Sequence, residues 1–332
     1  MRKLITVIVV AALAWAGYWY VGMQGHKAAL GTWLEDRRAE GWQVEYSDHQ
    51  VRGFPNRFDT TLTDLRLTDP ETGISWQAPF FQILSLSYKP NHLIAVWPNE
   101  QQIATPREKF TLKTANMRAS LKVKPSTQLG LDTAQIEMAE ATVISSEGWT
   151  AGFDALNGAI RLLEGTASTY DIATSIDQLL PGERVRKLID QGGTLPETIE
   201  TLRYDLQVAL DAPLDRTTIE AARPNITQLN IRELRGTWGA LELRAKGDMA
   251  VEDAQPQGEV AVTARNWRDM LALAVTSGAI DANSAATVEL GLGLLASTSG
   301  NAEALDATLS FSGGRTFLGP IPIGPSPEIR LP

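Results

Sequence analysis

The first apolar run of the chain extends from Leu4 to Val21 and contains no charged residue. In a helix, its eighteen residues span about 27 Å at about 1.5 Å per residue, close to the thickness of the hydrocarbon layer of a bilayer. We therefore predict that residues 1–23 form a short cytoplasmic tip and a transmembrane anchor.

The charges around this run predict its orientation. Arg2 and Lys3 precede it, and cations favour the cytoplasmic side of a membrane. The protein is therefore predicted to be a single-pass membrane protein with a cytoplasmic N-terminus and a body outside the cytoplasm. Aromatic residues at the far end of the run favour the membrane–water interface: Trp15, Tyr18, Trp19 and Tyr20. The alternative is a signal peptide cleaved at Ala-Trp-Ala, residues 14–16, which would also export the body (to the periplasm, if the cell has an outer membrane).

The apolar pattern keeps a helical period after the anchor and then changes to a period of two. Leu30, Trp33 and Leu34 have helical spacing, and Gly41 is a natural stop. Residues 24–41 are therefore predicted to form a helical stalk. From residue 42 onward, apolar and polar residues alternate, which is typical of strands with one buried face.

Alternation is clearest at residues 201–211. Five apolar residues on one parity are Leu202, Tyr204, Leu206, Val208 and Leu210, and polar residues occupy most of the other. Such a strand belongs to an antiparallel sheet with one face toward water. Similar segments recur through the body, residues 42–332.

The stretch "VRGFPNRF", residues 51–58, interrupts the first strands. Gly53 permits unusual backbone angles, and Pro55 cannot donate a hydrogen bond within a sheet. We predict a bend here, with Phe54 and Phe58 as the apolar contacts that stabilise it. Beyond it, the apolar parity changes near Thr63, which predicts a bulge.

Helical patterns appear in two regions. Residues 154–192 are predicted to be helical, ending at Gly192-Gly193, and residues 266–297 are predicted to be helical with Asn266 as N-cap. The proline-rich C-terminal segment contains Gly319 and Pro320 and is predicted to be an edge strand or an extended strap. The expected fold class is α+β: a transmembrane helix, then large curved antiparallel sheets with helical insertions. The body has two possible similar halves, at about 42–192 and 193–332.

Charge narrows the range of partners. The formal net charge is −9, and no concentrated basic segment offsets it. An acidic surface repels phosphate backbones, so nucleic acid is not an expected partner. The chain has no cysteine, which excludes disulfides, thiolate metal sites and cysteine nucleophiles.

The sequence contains no recognisable catalytic motif. His26, His49 and His92 are the only histidines, and their spacing does not suit a metal. Acidic residues on polar strand positions or in turns would have to carry any catalysis: Asp64, Asp69, Glu71, Asp205, Asp211 and Asp215. We predict no cofactor, no metal site and no enzymatic activity.

Three features together resemble a known family. They are the W-x-V-x-Y strand at 42–46, the "GFP" turn followed by "NRF" at 53–58, and "FLGPIPIG" at 317–324. With the N-terminal anchor they are similar to the alphaproteobacterial family named domain of unknown function 2125, which implies no catalytic residues. More loosely, the architecture resembles AsmA-like envelope proteins, a resemblance that implies amphipathic sheets involved in lipid handling.

These observations predict a non-enzymatic, inner-membrane-anchored periplasmic protein that binds or handles lipid or another envelope component in an amphipathic β-groove. Near the bend, Arg52, Arg57 and His49 are candidates to contact lipid headgroups. An alternative is a structural or assembly factor that binds another envelope protein. A third hypothesis is a carboxylate-based hydrolase, which would need a concave cluster of acids with raised pKa values.

Overall fold

The computed structural model describes residues 1–190, 192–220, 223–278, 280–298, 304–319 and 321–331. Five helices are found in these ranges: α1 (Arg2–Ala39), α2 (Glu183–Ile189), α3 (Arg216–Glu220), α4 (Trp267–Thr276) and α5 (Ala282–Thr298). The first nine strands are β1 (Gln43–Glu45), β2 (Asp48–Arg52), β3 (Arg57–Thr68), β4 (Ser75–Leu86), β5 (Lys89–Val96), β6 (Glu100–Ala104), β7 (Lys109–Lys113), β8 (Asn116–Val123) and β9 (Leu131–Ser145). The remaining strands are β10 (Thr150–Leu162), β11 (Thr169–Leu179), β12 (Ile199–Leu210), β13 (Ile226–Trp238), β14 (Leu241–Glu252), β15 (Gln255–Arg265), β16 (Ala304–Ser312), β17 (Arg315–Leu318) and β18 (Ile321–Pro325).

The N-terminal apolar run and the segment after it form one continuous helix, α1. It is long and apolar enough to cross a membrane, and its most apolar window is not buried by the rest of the protein. The helix ends at Ala39, and Gly41 follows with a positive φ of 92°. The predicted stop at Gly41 is therefore confirmed, since glycine adopts this backbone conformation without steric cost.

Two compact units make up the chain. Unit 1 contains Met1–Pro125 and Ile136–Trp149, and unit 2 contains Ser126–Gln135 and Thr150–Pro332. These bounds differ from those of the predicted halves, and the similarity of those halves stays a prediction. Antiparallel pairing joins the strands in both units, which confirms the α+β class with large antiparallel sheets.

In unit 1, the α1 helix packs on the first strands through a core of Leu34, Val44, Leu62, Leu65 and Leu67. On β3 the buried parity changes between Leu62 and Leu65, as predicted. The register with β4 does not shift there, so no bulge is present on that side. Asp64 instead adopts a φ of 50°, and this left-handed backbone turns the following side chains to the other face.

In unit 2, strands β10 to β16 pair in sequence order, each antiparallel to the next. Two apolar clusters lie at opposite ends of this sheet. One surrounds Tyr170, Val208 and Leu210, and the other joins α4 and α5 to the strand residues Ala264 and Leu305.

The first predicted helical region is wrong over most of its length. Residues 150–162 and 169–179 are the strands β10 and β11, and only Glu183–Ile189 is helical. Ladder hydrogen bonds along both strands outweigh a helical apolar spacing in "ALNGAIRLL". The predicted stop at Gly192-Gly193 is also wrong, because α2 has Asp190 as its C-cap.

The second helical region is confirmed as α4 and α5. Asn266 occupies the N-cap of α4, as predicted, but its side chain does not cap the helix. The Asn266 amide donates to the Ala240 carbonyl oxygen at 2.6 Å. It therefore ties the start of the helix to the β13–β14 turn.

The C-terminal segment forms both structures that were predicted as alternatives. β18 pairs antiparallel with β17 as an edge strand, and an extended segment then brings Leu331 into the Tyr170 cluster. Gly319 has a φ of 56° in the turn between these strands. Pro320 lies outside the described residues.

Candidate functional site

The "GFP" turn joins β2 to β3 in unit 1. Gly53 has a φ of 107°, its carbonyl oxygen accepts hydrogen bonds from the amides of Asn56 and Arg57, and the Phe54–Pro55 peptide bond is cis. A Cβ at Gly53 would lie 2.8 Å from the Arg57 carbonyl oxygen, so the turn requires glycine here. β2 ends at Arg52 and β3 begins at Arg57.

Aromatic residues of α1 hydrogen-bond to this turn and to the neighbouring β4–β5 loop. Trp15 Nε1 donates to the Pro55 carbonyl oxygen at 3.0 Å, and Trp19 Nε1 donates to the Arg57 carbonyl oxygen at 2.8 Å. The Tyr18 hydroxyl donates to the Ser87 carbonyl oxygen at 2.6 Å. Sequence patterns missed this docking; the only signal was the cluster of aromatics at one end of the apolar run.

Phe58 anchors the junction of α1 with the sheet. Its side chain is 2% exposed, and its ring lies 5.9 Å from the Trp19 ring and 4.7 Å from the His26 ring, centroid to centroid. Burial lowers the pKa of the His26 imidazole, because desolvation disfavours its charged form. Phe54 differs from its predicted role: it touches Trp19 edge-on but remains 58% exposed.

The three candidate headgroup residues have different surroundings. Arg52 is exposed, and no ion pair to it occurs within the described ranges. Arg57 is paired with Asp59 at 3.0 Å. His49 pairs across strands with Leu62 and shares its face, on the side of α1. Burial, followed by the charge of Lys27, lowers the pKa of His49.

A second surface is the apolar face of the β10–β16 sheet in unit 2. Directly opposed residues form apolar rows across the strands, for example Ile172, Leu206 and Ile231. On this face, Tyr204, Leu234 and Leu243 are 38%, 37% and 37% exposed. We call these three residues the open patch. Tyr204 and Leu234 face each other across β12 and β13, so the open patch is contiguous.

The two ends of the same face are closed. Val208 and Leu210 on β12 are buried in one end cluster, and Ala264 is buried at the other end beneath α4 and α5. Within the described parts of unit 2, the strand predicted at 201–211 is therefore filled at one end and open at its centre. The tryptophans do not line the open patch; Trp238 and Trp267 are buried.

Charged residues cover the opposite face of this sheet. Asp171 pairs with Arg161 at 3.0 Å and with Arg232 at 2.5 Å. Burial acts to raise the pKa of Asp171, but the hydrogen bonds from both arginines outweigh it and lower the pKa. Glu242 likewise pairs with several arginines, and the hydrogen bond from Arg244 lowers the pKa of its carboxyl. The sheet is thus amphipathic, with an ionic outer face and an apolar inner one.

Comparison with known proteins gives a family. The family model described as "Uncharacterized protein conserved in bacteria (DUF2125)" matches residues 19–327. The chain belongs to the DUF2125 family. No curated protein and no solved structure matches this DUF2125 chain. The matched range contains the "GFP" turn and the open patch, so both are parts of the DUF2125 region.

Three of the acids considered for a carboxylate hydrolase already have partners within the described part of this DUF2125 protein. Asp205 pairs with Arg232, Asp69 accepts bonds within its own turn, and Asp211 accepts bonds from Asn225. Where a carboxyl pKa is shifted, it is lowered, as hydrogen bonding to a carboxylate predicts. Within the described residues, no group of three or more histidine or acidic side chains could hold a metal ion.

Proposed function

We propose that this protein is non-enzymatic, is anchored in the inner membrane with a periplasmic body, and holds lipid acyl chains against the apolar face of unit 2. The observation that carries this proposal is the open patch, an exposed apolar surface on a sheet face that also carries two packed clusters. Contiguous exposed apolar surface commonly marks a binding site in soluble domains.

Lipid is the proposed occupant because of the chemistry of this face. The residues opposed to the open patch are small or apolar: Thr174, Gly236, Ala245 and Ala264. Charged side chains lie on the other face. An occupant would therefore bury apolar surface, at about 25 cal/mol per Å², without having to pair a charge. Acyl chains fit this description, and an anchored protein is always beside a supply of them.

The contacts of α1 favour retention of the anchor over a cleaved signal peptide. Cleavage after Ala16 would remove Trp15 and its hydrogen bond to Pro55. It would also place Tyr18 and Trp19 next to a charged new N-terminus. Both remaining aromatics donate hydrogen bonds to the body, so the helix acts as part of the fold of unit 1.

Neighbouring positions on β12 provide a matched test. Tyr204 and Arg203 are both exposed and point to opposite faces of the sheet. We expect lipid to co-purify with the full-length protein, and the lipid retained in native mass spectrometry to fall for Tyr204→Gln but not for Arg203→Gln. Equal lipid content in the two variants, or protein free of bound lipid, would contradict the proposal.

A second candidate function is an assembly factor that binds another envelope protein. The observation that favours it is a pair of exposed leucines, Leu290 and Leu294, four residues apart on α5. Such an i, i+4 pair forms one apolar stripe on a helix. A photoreactive residue at position 290 should then crosslink to one specific protein in membranes, while the same residue at Glu289 should not. Crosslinks to lipid alone at position 290 would argue against this candidate.

A further inference from the structure

The hydrogen bonds between α1 and the sheet of unit 1 relate the position of the sheet to the apolar run of α1. Two loops, 53–57 and 86–89, accept hydrogen bonds from Trp15, Tyr18 and Trp19. We call them the docked loops. The first connects β2 to β3 and the second connects β4 to β5, so they lie at the same end of the sheet.

These contacts lie within the apolar run and not beyond it. Trp15 precedes Val21 by six residues, which is about 9 Å along the helix axis. The run from Leu4 is only about as long as the hydrocarbon layer is thick, so it has little excess length to extend into water. A loop that bonds to Trp15 therefore lies at the level of the bilayer.

Several backbone carbonyl oxygens of the docked loops have hydrogen-bond donors within the protein. The carbonyl oxygens of Pro55, Arg57 and Ser87 accept bonds from the three aromatic donors. The Asn56 carbonyl oxygen accepts the Ser87 amide. Loops in water need no such partners, whereas an unsatisfied backbone group in hydrocarbon costs several kcal/mol.

Side chains that point away from the docked loops have the chemistry of a lipid interface. Phe54 is 58% exposed and Tyr88 is 59% exposed, and exposed aromatic rings favour the boundary between headgroups and acyl chains. Arg52 and Lys89 flank them and are also exposed. Neither cation forms an ion pair with another residue in the described part of the chain.

We propose that the docked loops insert into the leaflet on the body's side of the membrane that α1 spans. Phe54 and Tyr88 lie among the upper acyl chains, and Arg52 and Lys89 contact anionic lipid phosphates. The docked loops of unit 1 are thus in contact with the bilayer, and the helical segment 24–41 does not hold them away from it. This inference rests on the anchor in the proposed function and is independent of the open patch.

Single cysteines test the depth of the loops, because the natural chain has no thiol. A nitroxide is attached at position 10, 54, 74 or 88 of the full-length protein in lipid nanodiscs. All four native residues are exposed; Val10 lies in the apolar run, and Ile74 lies at the other end of the β3–β4 pair. Accessibility to oxygen, which concentrates in lipid, is compared with accessibility to a water-soluble nickel complex.

We expect labels at positions 10, 54 and 88 to favour oxygen and the label at 74 to favour nickel. A lipid signal at position 10 with a water signal at 54 and 88 would overturn the inference and leave the anchor intact. A water signal at position 10 would instead refute the anchor, and the inference with it.

The cations are tested through lipid selectivity. Spin-labelled phosphatidylglycerol should be enriched around the protein relative to spin-labelled phosphatidylcholine. The variant with Arg52→Gln and Lys89→Gln should lose this preference by about fivefold per charge at low salt. The control variant, Arg107→Gln with Lys109→Gln, changes two exposed cations near the opposite end of the sheet. Equal preference in the two variants would rule out headgroup binding by Arg52 and Lys89.

Discussion

At Gly22, α1 packs tightly against Phe58 of the sheet, and this contact leads to a specific prediction. A Cβ at Gly22 would lie 2.4 Å from Phe58 Cζ and 3.1 Å from Phe58 Cε1. Trp19 and His26 hold the Phe58 ring in place, so the ring has little room to yield. At Gly25, three residues further along the same helix, a Cβ would meet nothing within 4 Å.

The two glycines allow the clash to be separated from helix propensity. Replacing either by alanine removes a glycine from a helix interior, which stabilises the helix by about 0.8–1 kcal/mol. Overpacking against a buried ring costs about 1–3 kcal/mol. We therefore expect Gly25→Ala to raise the free energy of unfolding slightly, and Gly22→Ala to be less stable than Gly25→Ala by about 1–3 kcal/mol.

Denaturant unfolding of the full-length protein in a mild detergent, followed by tryptophan fluorescence, measures this difference. A second comparison uses Phe58→Leu, whose smaller side chain leaves space for the new methyl group. In that background, Gly22→Ala and Gly25→Ala should have nearly the same effect. If the two alanine variants are equally stable with Phe58 present, the packing of α1 against this ring is not as described.

Three other predictions concern stability. Burial lowers the folded-state pKa of His26 below 6.5, so the unfolded chain binds more protons than the folded chain near that pH. The free energy of unfolding should therefore fall on acidification from about pH 7.5 to about pH 5.5, and it should fall less in His26→Gln. The folded-state pKa of Glu242 is lowered from 4.5, so its ion pairs should stabilise the fold above that pH and be lost as the pH falls below it. In Glu242→Gln, the free energy of unfolding should depend less on pH in this acidic range. Tyr170→Phe should cost about 1–3 kcal/mol in denaturant unfolding, because the buried Tyr170 oxygen accepts the Leu214 amide, whereas Tyr204→Phe on the open patch should be nearly neutral.

Segments with a strong periodic pattern were predictable. The strand at 201–211 and the helices within 266–297 are present, and the main failure is the helix predicted from residue 154, where strands extend to residue 179. In β11 the alternation of Tyr170, Ile172 and Ile176 with polar residues was a usable signal. It was weakened by "ALNGAIRLL" in β10, whose apolar spacing also suits a helix, and pairing with neighbouring strands decided the outcome.

The candidate sites divide in the same way. The bend at Gly53 and Pro55 follows from the backbone chemistry of those two residues, so its position could be predicted from the sequence. The sequence could not predict that Phe54 is exposed and Phe58 is buried, because both are aromatic residues beside the same turn. Their difference comes from α1, which covers one and leaves the other at the edge.

Sequence patterns alone predict the apolar N-terminal helix, the amphipathic antiparallel strands and the turn that separates β2 from β3, because each depends on neighbouring residues. The packing of α1 on the sheet is needed to show that Trp15 bonds to a residue 40 positions away and Trp19 to one 38 positions away. Tertiary packing likewise determines that the apolar face of unit 2 is buried at Val208 and Ala264 and exposed at Tyr204 and Leu234. Both outcomes depend on which distant elements meet, and local periodicity carries no information about that.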